Sequence, residues 1–260
     1  MSTNSTVVSP SRWLLLLEAG APLEYAASLA AAPWLLNAPR GDGHAVIVYP
    51  GFLASDLSTR PLRRLLRALG HDMHGWGQGR NLGARAATLD RALAQVHALH
   101  AKSGRRISLV GWSLGGLFAR EVAKRAPDSV RLVVSLGSPF TGPRDANRAS
   151  STYRRLQRGQ APAPIRHEDL REPPPCPTTS IFSRTDGIVA WPCSLQAPGP
   201  QAESIEVRAS HLGLGVNPFA LYALADRLAQ PEGAWLPFDR HGVRRFAFPD
   251  PYRTTKETHP

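Results

Sequence analysis

Between Ala45 and Ala229 the chain alternates short apolar runs with stretches of helical length, and few architectures accept that rhythm. The run AVIVY (45–49) stops at Pro50-Gly51 and reads as a buried strand. Ser58 to Leu69 then places Leu62, Leu65, Leu66 and Leu69 on one helical face. HDMHGW (71–76) is a weaker strand candidate, followed by a helix over 84–100. RISLVG (106–111) is a strong strand, with a helix from Leu114 to about Ala126. RLVVSLG (131–137), TTSIFS (178–183) and SIEVRA (204–209) are the remaining strands, and Asn217 to Ala229 closes the series as a helix. Strands separated by such helices predict an α/β fold with a mostly parallel sheet covered on both faces. Right-handed crossovers then bring the strand C-terminal ends to one edge, where ligands bind in such folds.

The junction of strand and helix at Gly111-Trp112-Ser113-Leu114-Gly115 fits the pattern G-x-S-x-G. The five letters alone are common; their place directly after a strand and directly before a helix makes them specific. A chain turning that sharply holds the serine in a strained conformation, and a side chain at either flanking glycine would crowd the neighbouring backbone. The new helix offers free N–H groups toward developing negative charge. Ser113 is therefore the candidate nucleophile.

A serine hydroxyl needs a base, normally histidine, and a carboxylate to orient that base. The order expected along such a chain is serine, acid, histidine. His211, in Ser210-His211-Leu212-Gly213, follows the last strand where the base should stand. For the acid, Asp186 follows TTSIFS with Gly187 beside it to permit a tight turn. Its rival is Asp145 in GPRDANR, at the start of a polar insertion, while Asp128 reads as a surface turn. The oxyanion of a tetrahedral intermediate needs two donors. The N–H of Leu114 is one, and Phe52 in Pro50-Gly51-Phe52-Leu53 is the preferred second, with Leu53 as its substitute.

With these residues assembled, the chain resembles the α/β-hydrolase superfamily, and within it the serine esterases and lipases. The resemblance spans about 44–230 and rests on YPGF, GWSLGG, SRTDGIV and SHLGLG in order, with LGSPF (136–140) resembling a stretch of some bacterial lipases. Pro50 departs from it, standing where many relatives carry histidine, and the N-terminal helices have no part in the minimal fold. The resemblance implies cofactor-free acyl chemistry on a small-molecule ester, hydrolysis first and acyl transfer as the alternative; a non-catalytic binding protein keeping the fold is the more distant reading. The N-terminal segment, Trp112, Phe52 and Phe140 point to an apolar, lipid-like acyl group.

Residues 1–43 read as an N-terminal helical segment and 44–260 as the main domain, with a lid-like insertion over 142–177 rich in Arg, Pro and polar residues. Ser11 to Leu36 predicts one or two helices broken near Pro22, with an apolar face that packs on the domain or, alternatively, flaps over a site. The net charge of +11 comes mostly from scattered arginines, densest at Arg60, Arg63, Arg64 and Arg67 on the solvent side of a helix. Without a basic tail or a zinc-finger pattern, that distribution argues against a nucleic-acid partner and leaves weak membrane-surface association open. Cys176 and Cys193 form either one disulfide or two reduced thiols, and neither sits in a metal-ligand pattern. The expected compartment is cytoplasmic, with secretion open, because no apolar run reaches spanning length and no clear signal peptide stands at the start.

Overall fold

All five residues of β1 (Ala45–Tyr49) are buried, as a strand bonded on both sides and covered on both faces must be. A computed structural model gives the arrangement of residues 7–143, 145–158, 165 and 167–253. In chain order the elements are helices α1 (Arg12–Leu17), α2 (Ala21–Ala30) and α3 (Ala32–Leu35), then β1, α4 (Arg60–Ala68), β2 (Asp72–Gly75) and α5 (Ala86–Ser103). They continue with β3 (Ile107–Trp112), α6 (Leu114–Arg125), β4 (Val130–Leu136), α7 (Ser150–Leu156), α8 (His167–Leu170), β5 (Thr178–Phe182), β6 (Ala202–Glu206), α9 (Pro218–Leu228) and α10 (Arg244–Ala247). The six strands form one sheet in the order β2-β1-β3-β4-β5-β6, every neighbouring pair parallel. The expected strands all exist. SIEVRA pairs earlier than anticipated, over AESIE, and its last residues leave the sheet as the loop toward His211.

The two-residue period of each strand divides the core. Val46 and Val48 of β1 join Val110, Val134, Ile181 and Ile205 beneath Leu62 and Leu66 of α4 and Leu221 and Leu224 of α9. Ile47 and Tyr49 point the other way, joining Leu109 and Val133 under Leu89 and Val96 of α5 and Phe118 and Val122 of α6. Each of these side chains contributes about 1.5–3 kcal/mol when fully buried. The register Tyr49↔Gly111 and Gly111↔Ser135 aligns the C-terminal ends of β1, β3 and β4 on one edge.

The N-terminal segment differs from expectation in two ways. The break falls at Glu18–Gly20, a single 3₁₀ turn, and Pro22 instead sits in the first turn of α2, where its missing N–H costs nothing. The second difference is which side faces inward. Trp13, Leu16, Leu23 and Leu29 are exposed, whereas Glu18 and Ser28 are buried. Leu35 does enter the core, and Trp34 stacks on Tyr222 of α9 with ring centroids 4.8 Å apart.

Within the insertion, residues 144, 159–164 and 166 lie outside the described residues. Helix α7 reaches the loop after β1, its Tyr153 ring meeting Phe52 edge-on at 5.4 Å. Both cysteines are free and buried, and burial pushes their thiols up to about 12 for Cys176 and about 11 for Cys193, so neither is a reactive thiolate. Arg60, Arg64 and Arg67 lie exposed on α4 as expected. Among the described residues no helix is long and apolar enough to cross a membrane.

Phe118 stands fully buried between Tyr49 and Trp76, at centroid distances of 6.5 and 6.2 Å. Phe118→Ala is expected to destabilise the fold by about 3–5 kcal/mol in urea unfolding, the range for an emptied aromatic core site.

Candidate active site

Ser113 is one of two described non-glycine residues with positive φ, at φ 53° and ψ −121°. The surroundings force that turn. A Cβ on Gly111 would collide with the carbonyl of Gly115, and one on Gly115 would collide with the carbonyl of Tyr49. Ser113 N–H donates to Leu136 O at 2.7 Å, and Gly116 N–H donates back to Ser113 O at 3.0 Å. The serine is thus held at the C-terminal rim of β3, half-buried, with α6 starting behind it.

Asp186 and His211, 25 positions apart, are brought into direct contact: His211 Nδ1 and Asp186 Oδ2 lie 2.6 Å apart, both residues buried. The second carboxylate oxygen accepts from Ile188 N–H at 2.9 Å and Val189 N–H at 2.7 Å, which aims the first at the imidazole. That pairing places the proton on Nδ1 and leaves Nε2 as the accepting nitrogen. Burial disfavours the imidazolium, but the Asp186 charge and hydrogen bond, with the Glu18 charge, outweigh it and raise the His211 pKa above its ordinary 6.5.

Two observations bring this pair to the serine's rim. The Trp112 indole N–H donates to His211 O at 3.1 Å. Gly137, next after the Leu136 that holds Ser113, lies so close to the pair that a Cβ there would come within 3.2 Å of both Asp186 Oδ2 and His211 Nδ1. Among the described residues no hydrogen bond joins the Ser113 hydroxyl to the His211 ring. The rival Asp145 is exposed and offers its backbone carbonyl to Ser9, apart from His211.

In the loop after β1 the two candidate donors differ in what already occupies them. Leu53 N–H is taken by Asn81 O at 2.8 Å, whereas no acceptor for Phe52 N–H occurs among the described residues. Asn81, fully buried, clamps this loop from both sides: its N–H donates to Ala54 O and its side-chain amide to Pro50 O, each at 2.8 Å. Gly51 lies against the serine, its absent Cβ 3.3 Å from Ser113 Cβ. Leu114 N–H, in the first turn of α6, has no partner within its helix.

Several side chains do other work than the sequence indicates. Phe140 is fully buried under the Arg120 guanidinium, 4.0 Å from its ring centre, and so is core rather than pocket wall. Trp112 braces the histidine loop. Gly187 does not have positive φ; its missing side chain admits the Leu14 backbone of α1. Among the described residues no group of three or more His, Cys, Asp or Glu could hold a metal ion.

A second Asp–His–Ser constellation lies at the opposite end of the sheet, unforeseen in the sequence. His44 Nδ1 meets Asp42 Oδ1 at 2.5 Å, and His44 Nε2 meets Ser108 Oγ at 2.7 Å. Ser108 is the second residue of β3, five residues before Ser113 and roughly 16 Å away along the strand. Both Ser108 and His44 are sealed from solvent, at 0% and 1% exposure, so no substrate reaches them. Burial, with the Arg131 and Arg105 charges, outweighs Asp42 and lowers the His44 pKa. This second set joins β1 to β3 structurally.

Comparison with known proteins bears on the fold. The α/β hydrolase fold family model matches residues 38–171, just over half of the chain. A curated relative, the pimeloyl-(acyl-carrier protein) methyl ester esterase of Aliivibrio salmonicida (strain LFI1238), is 30% identical over 102 residues, 38% of this chain and 37% of its own length. The chain therefore spans little more than a third of that relative. Among solved structures, Aspergillus fumigatus lipase B superposes with a TM-score of 0.56 at 18% identity, covering 74% of this chain and 54% of that one. An alpha/beta superfamily hydrolase from Oenococcus oeni PSU-1 gives 0.52 at 16% identity, covering 72% and 91%.

Ser108→Ala is expected to cost about 1–3 kcal/mol in urea unfolding, because it leaves buried His44 Nε2 without its partner.

Proposed function

Since the chain belongs to the α/β-hydrolase family, we propose that it hydrolyses carboxylic esters through a covalent acyl-enzyme on Ser113. The observation that carries this reading is the His211–Asp186 pair, 2.6 Å apart and tied through the Trp112 indole to the neighbour of a serine held at φ 53°. Ser113 Oγ attacks the ester carbonyl while its proton passes to His211 Nε2. Asp186 stabilises the imidazolium without taking its proton. The tetrahedral oxyanion lies between the N–H groups of Phe52 and Leu114. Collapse expels the alcohol with the proton from Nε2, and water repeats the sequence in reverse to release the acid.

An apolar acyl group suits the surroundings. Leu53 beside the oxyanion loop and Leu212 beside the base are both exposed apolar side chains, 44% and 47% accessible. The outward leucines of α1 and α2 extend the same character near the histidine loop. An apolar, lipid-like ester is the substrate class this favours, and weak contact with a lipid surface is compatible with it.

A rate series on aryl esters of increasing acyl length tests both parts. Wild type should turn over, with kcat/KM rising with chain length, and Ser113→Ala should lose about 10⁴-fold or more. Unchanged turnover in Ser113→Ala would remove the serine from the mechanism. Acyl product on an added alcohol exceeding free acid would make the protein a transferase.

The base must be neutral to act, and the His211 pKa is raised. The acid limb of kcat/KM is therefore expected above pH 6.5, activity falling as pH drops through it. A limb below 6.5 in a pH–rate profile would contradict the two carboxylates' outweighing burial at His211.

A further inference from the structure

The N-terminal segment packs on the domain through Leu35 and Trp34 of its last helix, but its first two helices meet the domain through polar groups. Over α1 and α2 most leucines and Trp13 face outward, and the charged side chains directed inward are Glu18, which is buried, and Glu24, which is partly buried, while Leu35 of α3 enters the core. Glu18 is 7% exposed, and each of its oxygens is occupied by backbone of the two loops that carry the histidine and the acid. Oε1 accepts from Gly187 N–H at 2.8 Å and from His211 N–H at 2.9 Å. Oε2 accepts from Leu212 N–H at 2.8 Å. One oxygen atom thus bridges the residue after Asp186 to His211 itself. Glu24, six positions on, repeats the arrangement behind it: Oε1 accepts from Ser210 N–H at 2.8 Å and Ser210 Oγ–H at 2.6 Å, and Oε2 from the Asn217 side chain at 2.8 Å.

The two loops are shaped to receive these groups. A Cβ on Gly187 would run into the Leu14 carbonyl of α1, and a Cβ on Gly213 would run into the Glu24 carboxylate. Both glycines have ordinary φ, so their role is the room they leave. Ser210, Gly213 and Gly187 therefore form a socket, with α1 and α2 as the plug.

We propose that the N-terminal segment is a working part of the catalytic centre, in which Glu18 is a positioning residue that locks the acid loop and the histidine loop in register, with Glu24 securing the histidine loop from behind. The proposal rests on the ester-hydrolase reading for its kinetic consequences, though not for its geometry. Hydrogen bonds to a charged acceptor are stronger than neutral ones, and three of them on one buried carboxylate leave little freedom to either loop. The charged groups facing His211 among the described residues are Asp186 from the acid loop and Glu18 from the N-terminal segment. Glu18 therefore also adds negative charge beside the imidazolium formed in each half-reaction. The motif reading of the triad contains no such group, because it comes from outside the minimal fold.

The test is Glu18→Gln, which keeps the shape and one accepting oxygen but removes the charge and turns an N–H₂ toward a backbone donor. Rates should fall roughly 10- to 100-fold in kcat with KM within about twofold, as for a misplaced reacting group. The acid limb of the pH profile, and the His211 pKa read by NMR, should both move to lower pH. Glu24→Gln should lower kcat less and leave the limb in place. Activity lost only in proportion to unfolded protein, with limb and His211 pKa unmoved, would overturn the proposal. If Glu18→Gln does not fold, amide exchange on the wild type decides it: the Gly187, His211 and Leu212 amides should be protected together, and fast exchange at them overturns the clamp. Should wild type hydrolyse no ester, the ester reading fails alone, since His211 titration and amide exchange still judge the clamp.

Discussion

The turn at Ser113 is the constraint on which the rest depends. A non-glycine residue at φ 53° costs on the order of 1–3 kcal/mol, and such a conformation persists only where the surroundings over-determine it. Here they do so through backbone alone. Gly111 and Gly115 let β3, α6 and the end of β1 approach to contact, and Leu136 O at the end of β4 takes the serine's N–H. The same glycines explain why three strands must end level at this edge. Because the constraint comes from the central strands, the position of the hydroxyl is set by the most deeply buried part of the molecule. Asp186 and His211, by contrast, sit on loops beyond β5 and β6 and need restraint of their own.

That division matches what the sequence discloses. The strands, the principal helices and the strand-to-helix turn at Ser113 are legible, because each depends on local pattern, and chain order singles out Asp186 and His211, which the fold brings into contact. Asp186 is recognisable through its Gly187 neighbour, where the chain bends at ordinary φ and the missing side chain also makes room for α1. What stays hidden is contact between residues far apart in the chain. Asn81 gives no local signal, yet it holds the loop after β1 from 27 to 31 positions away. Glu18 and Glu24 look like polar interruptions of an apolar stretch, and only the fold shows that they mark its inner face. Asp42, His44 and Ser108 are equally silent, since the first two precede β1 and the third lies within β3, with no motif around them.

The arginines follow the same logic. The sequence reads the surplus charge as a solvated surface, and α4 fits that description. Others work inside. Arg120 is fully buried, donating to the Leu170 and Glu172 carbonyls and the Gln196 side chain, and so pins the end of the insertion to α6. Arg131 bonds Asp42 at 2.8 Å and Arg227 bonds Glu203 at 2.8 Å, tying sheet strands to loops and helices on either side. Guanidinium groups suit these places because their planar donor set satisfies several acceptors at once. Charge counted from composition overstates what is displayed to partners.

The proposed chemistry turns on a single atom, Ser113 Oγ, as the acyl acceptor. Wild-type protein treated with a fluorophosphonate and digested should show, by mass spectrometry, one phosphonyl group on the peptide containing Ser113, formed more slowly as pH falls through the His211 titration. A label carried by any other residue, or none on a folded protein, would contradict it.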